Sequence, residues 1–110
     1  MFPKSSPISS KQLRDSARGE SCTLRIPGVC NHSPDTVVLC HLRDLAPSGV
    51  GMKPDDTAAV YACSDCHDLI DGRRKTTMTQ WEIGREEGRA LIETHRRMYD
   101  KGLITVKGAK

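Results

Sequence analysis

Aromatic side chains and long apolar runs are what this sequence has least of. One Trp, one Phe and two Tyr are its only large rings, and 36% of the 110 residues are apolar. A chain of this length allows one small domain, and so little apolar material leaves it a thin core. No apolar run reaches the roughly 18 residues a membrane-spanning helix needs, so no membrane partner is expected. The opening MFPKSSPISS also lacks the apolar stretch of about 7–15 residues that marks a secretory signal. Charge of one sign does not dominate either, since 17 Lys and Arg face 14 Asp and Glu for a net +3. By itself that balance is weak evidence for nucleic acid. Repeats and long low-complexity tracts are missing too.

Small chains with thin cores are commonly stapled by disulfides or a metal. Five cysteines are present. An odd number fits a disulfide framework poorly, and without a signal the expectation is a cytoplasmic protein with reduced thiols. Metal is then favoured over disulfide.

Residues 1–10 are rich in Ser and Pro and are expected to form a disordered tail, with a single domain over 11–110. A Ser cap followed by KQLRDSAR predicts a short helix stopped by Gly19. The β-branched run TVVLCHL, 36–42, predicts a strand with Val37, Leu39 and His41 on one face and Val38, Cys40 and Leu42 on the other. Residues 43–56 hold Pro47, Gly49, Gly51 and Pro54 and read as a loop. TAAVYAC follows as a second strand or turn, and SDCHDLIDG as a helix capped by Ser64 or Asp65 and ended by Gly72. The strongest helix spans 79–101, with Thr79 and Glu82 at the spacing of a capping box. Its expected core stripe is Trp81, Gly84, Gly88, Leu91, His95 and Met98. The two glycines cost about 1 kcal/mol each against Ala and are expected to permit close packing. LITV, 103–106, reads as a final short strand.

Cys63-x-x-Cys66 is the spacing that points two thiolates at one ion, and tetrahedral zinc takes four such ligands. Cys22 and Cys30, bracketing the Pro27–Gly28 turn, are the nearest further thiols. Their wider spacing closes only if that turn folds the chain back. Cys40 is the surplus thiol, or a replacement for Cys22 or Cys30. With four thiolates on the ion, His67 is free to point elsewhere. His41 ends a strand before a Gly-rich loop, so a strand histidine would face a helix histidine across the knuckle. Two imidazoles so placed can divide phosphodiester hydrolysis, one taking a proton from water and the other holding a divalent cation.

The segments LCHLRD, GVGMKPDD and ACSDCH resemble, in order and spacing, the HNH (His-Me finger) endonucleases. With DSARGESCTLRIPGVCN and ACSDCHDLID added, the chain more closely resembles the small prophage-encoded YbcO-like nucleases over about residues 11–75. The resemblance implies an α+β fold, a zinc-stapled ββα-metal domain with flanking helices, and a metal-dependent DNA endonuclease of phage or prophage origin. It implies His41 as general base and His67 as ligand of a catalytic cation such as Mg²⁺ or Mn²⁺. Asp56 takes the middle position of the motif, with Asp55 as the other candidate. Cys22, Cys30, Cys63 and Cys66 become the structural zinc ligands, and Arg43 and Lys53 border the loop as phosphate contacts. One position departs from the pattern. Cys40 stands where many such enzymes carry Asp or His, and a thiolate suits Mg²⁺ poorly. The alternatives are a zinc module that binds DNA or protein without cutting, and a thiol redox protein using Cys63 and Cys66.

Overall fold

The computed structural model describes residues 7–43 and 54–109. Lys53 and most of the Gly-rich loop lie outside the described residues, as do residues 1–6 of the expected tail. Helix α1 (Lys11–Asp15) opens on Ser10, whose hydroxyl accepts from Leu13 N–H. A single 3₁₀ turn (Pro34–Thr36) leads into β1 (Val38–His41), which pairs antiparallel with β2 (Ala59–Ala62). Helix α2 (Ser64–Ile70) follows at once, and α3 (Gln80–Asp100) closes the fold. The result is a small α+β domain in which a two-stranded sheet is flanked by three helices. No helix among the described residues is long and apolar enough to cross a membrane.

Polar bonds help anchor the sheet to distant elements. Strand β2 is buried throughout, and Tyr61 N–H donates to Thr94 Oγ1 on α3, which also bonds Thr23 Oγ1 at 3.0 Å. Buried hydroxyls are tolerated because each finds a partner. Helix α3 therefore packs through Ile83, Glu87, Ala90, Thr94 and Met98, a stripe rotated about one residue from the expected one. Only Met98 is shared. Trp81, expected in the core, is 69% exposed and instead carries Arg85 over its ring at 5.1 Å. The polar Thr94 and Glu87 disguise the true face, while Trp81 advertises a false one.

The capping box of α3 forms as its sequence requires, Thr79 and Glu82 bonding reciprocally. Helices α2 and α3 both end on a glycine at positive φ, Gly72 and Gly102. Each is followed by a residue whose N–H reaches back to the last turn, Arg73 to Asp68 O and Leu103 to Met98 O, as a Schellman stop does. Two smaller expectations fail. LITV forms a bend and irregular backbone rather than a strand, and α2 is capped by Cys63, whose sulfur accepts from Cys66 N–H. Residues 7–10, assigned to the tail by sequence, are pinned: Ile8 N–H donates to Asp55 and Ser10 N–H to Asp56.

Gly84 and Gly88 do not permit a close approach, since a Cβ at either meets no atom within 4 Å. With helical φ and open space, Gly88→Ala should stabilise the domain by about 0.5–1 kcal/mol. A chemical-denaturation midpoint unchanged or lowered in Gly88→Ala would contradict this.

Candidate metal centre and the cleft at His41

Three local structures deliver four sulfurs to one point. Cys63 closes β2 and Cys66 stands one helical turn later on α2. The loop between Cys22 and Cys30 turns back where Ile26 O accepts from both Val29 and Cys30 N–H, at 3.0 and 2.9 Å, with Gly28 at φ +75°. Helix α3 holds that loop from outside: Arg25 forks onto Glu93 with two 2.7 Å bonds, and Arg89 donates to Thr23 O and Leu24 O.

The four sulfurs all lie within 4.8 Å of one another, and Cys30 and Cys63 sulfurs stand 3.8 Å apart. Sulfurs at tetrahedral vertices about 2.3 Å from zinc are separated by about 3.8 Å. Backbone N–H groups of Arg25 and Cys66 point at the sulfurs of Cys22 and Cys63, each at 3.4 Å, as partners for thiolates. Without a cation the thiols compete for protons. Cys66 donates to Cys22, which pulls Cys22 down to about 4 and drives Cys66 up. Burial pushes Cys30 up to about 11. Four ionised thiols this close need a positive ion between them, so the donor set fits a metal such as zinc. Cys40 is excluded from the cluster. It is fully buried in the core, and burial lifts its thiol to about 12, which makes it an inert apolar residue.

His67 turns away from the sulfurs, and its Nε2 lies 3.2 Å from Asp71 Oδ2, one helical turn on. His41, at the end of β1, has its Nε2 2.8 Å from Asp56 Oδ1. Asp56 is 2% exposed, and its other oxygen accepts from Ser10 N–H and Arg14 Nη1, both at 2.7 Å. Burial raises the Asp56 carboxyl, but the bonds from Ser10, His41 and Arg14 outweigh it and hold the group below its ordinary value. An ionised carboxylate can only accept, so His41 Nε2 carries a proton, and in the neutral ring the lone pair is on Nδ1. Both Asp56 oxygens are committed, so neither is available to a cation. Asp55 is a turn residue whose oxygens accept from Thr57 and Ile8.

His41 borders a cleft of about 430 Å³ walled by Arg43, Ile70, Asp71 and Arg73. Arg73 is paired with Asp68 and Asp71. Of the residues singled out from sequence, His41 and Arg43 line this cleft, Asp56 stands behind His41 and His67 pairs with Asp71; Asp71 and the bond from Arg14 to Asp56 were not foreseen. Asp71 had a usable signal, its i, i+4 spacing from His67 on a helix. Arg14 had none, because 42 residues separate it from Asp56.

A four-thiol cluster able to hold a metal, a cleft bordered by His41 and two histidines each paired with a carboxylate define a small α+β protein with a candidate metal centre. Residues 11–102 match the family described as "Putative nuclease YbcO", and the chain belongs to that family. Two curated relatives of that name, from Escherichia coli (strain K12) and Enterobacteria phage 82, are each 56% identical over 61 residues, 56% of this chain. The match spans 64% of the length of each relative. The fold is also that of a solved structure described as "a putative bacteriophage protein" from Escherichia coli K-12. It has a TM-score of 0.67 and 37% identity, covering 83% of this chain and 100% of that one.

Proposed function

We propose that this chain is a metal-dependent DNA endonuclease of the HNH type, phage or prophage encoded, with zinc on Cys22, Cys30, Cys63 and Cys66. The names of its relatives support a nuclease. The observation that carries the finer reading is His41. Its Nε2 is fixed by buried Asp56 while its ring faces a basic cleft, which is the arrangement of a general base rather than of a packing histidine.

In this reading His41 Nδ1 takes the proton from the water that attacks the scissile phosphorus. Asp56 keeps the ring in that tautomer and stabilises the imidazolium that forms. Arg14 and Ser10 hold Asp56 still. Arg43 meets a phosphate oxygen. His67 and Asp71 would hold a divalent cation, and their 3.2 Å separation suits neighbouring ligands about 2.1 Å from an ion. When bound, that cation would supply charge stabilisation to the phosphate and the departing oxygen.

A second reading, a zinc module that binds DNA without cutting, is favoured by one observation. Cys40 is buried and adds no ligand, which leaves the cation two protein groups. Supercoiled plasmid incubated with Mg²⁺ or Mn²⁺ separates the two. Nicking is expected, and Asp71→Asn should raise the Mg²⁺ concentration for half-maximal nicking on the order of 10-fold. DNA retarded on a gel but never nicked, with any of these ions, would establish the second reading instead.

A further inference from the structure

Two clefts meet at His41. The first holds Arg43 and Arg73. The second, of about 270 Å³, lies between α1 and the outer side of β1, walled by Arg14, Asp15, Arg18 and Val38. His41 lines both, so a chain bound in one can continue past this residue into the other.

The ion-pair pattern marks particular arginines on this surface. Among the described residues every arginine has a carboxylate partner within 4 Å except Arg18, Arg43 and Arg85. Arg85 is on α3, over Trp81. The other two stand one in each cleft, on either side of His41. The acid beside Arg18, Asp15, is neutralised by Lys11 at 2.6 Å. In the Arg18 cleft Val38 is 43% exposed, an apolar surface of the kind that packs against sugar or base.

We propose that the DNA strand crosses His41 from the Arg43 cleft into the Arg18 cleft, with Arg18 holding a phosphate on the far side of the scissile bond from Arg43. This rests on the nuclease reading above and adds to it the path of the substrate. Guanidinium groups without an internal carboxylate are available to phosphate at no cost of a broken pair. Arg18 has no role in the fold's interior, so its removal leaves folding intact.

The test uses the full chain with zinc bound and a fluorescent double-stranded oligonucleotide, followed by anisotropy across about 50–200 mM salt. Arg18→Ala should bind several-fold more weakly, with the slope of log affinity against log salt reduced by about 1. Arg85→Ala, which removes an equally unpaired charge from α3, should change neither by as much. If Arg18→Ala matches wild type or Arg85→Ala in both measures while wild type binds and nicks plasmid, the path is wrong and the nuclease reading stands. If wild type neither binds nor nicks, both fall together.

Discussion

Cys66→Ser is expected to give a chain that no longer folds stably, even with zinc supplied. The cluster joins the 22–30 loop, the end of β2 and the start of α2. Cys66 is fully buried at that junction. Apparent binding free energies of structural zinc are about 10–16 kcal/mol, against total stabilities of about 5–15 kcal/mol for whole domains. A domain with one Trp, one Phe and two Tyr, whose Trp is exposed, has little else to offset its conformational entropy. A serine hydroxyl is a poor substitute for thiolate and would leave three crowded sulfurs around an incomplete shell. Zinc content and the far-UV circular dichroism melt read the outcome: about one equivalent and a cooperative melt in wild type, neither in the variant. Cys40→Ala is the matched control. It removes an equally buried sulfur outside the cluster, so it should keep its zinc and lose only the roughly 1–2 kcal/mol of a small core truncation. Should Cys66→Ser keep zinc and melt with wild type, the four sulfurs are not a metal site.

Element identity was legible wherever a local rule acts alone. The capping box at Thr79 and Glu82, the Gly72 and Gly102 stops and the β-branched strand at 38–41 all follow from neighbouring residues. The sulfur cluster was legible because two thiols at knuckle spacing demand two more, and the Pro27–Gly28 turn supplied them. What failed depended on distant partners. The packing face of α3 is set by Thr94 meeting Thr23 and Tyr61, which no periodicity in α3 records. The cap of α2 is a cysteine because the cluster already fixes Cys63, overriding the ordinary preference for Ser or Asp. Residues 7–10 are ordered by Asp55 and Asp56, acids that look like free loop residues in the sequence. The same reach across the chain hid the commitment of Asp56. Its second oxygen accepts from Arg14 and Ser10, both distant in sequence.

His41→Ala should lower plasmid nicking by about 10²–10⁴-fold, the usual range for removing a general base, without lost zinc or a shifted melt. The ring is half-buried and at the end of a strand whose pairing is backbone to backbone, so the fold does not depend on it. Asp56→Asn tests why that histidine works. An amide can present N–H₂ to Nε2, which moves the ring's proton to Nδ1, and it leaves Arg14 facing a neutral group. Loss of a supporting partner of this kind costs on the order of 10–100-fold in activity. It should also change acid stability, and by more than His41→Ala, which removes only one of the three bonds that hold the Asp56 carboxyl down. Because the folded Asp56 carboxyl lies below its ordinary 3.8, its ionised form is favoured by folding. That stabilisation is complete above the ordinary value and is lost as pH falls through the depressed one. Wild type and Asp56→Asn should therefore differ most near neutrality and converge in strong acid, whereas His41→Ala nicks poorly at every pH. If both variants nick as wild type does, His41 is not the base. If only Asp56→Asn does, the carboxylate anchors residues 7–14 and leaves the chemistry to the imidazole alone.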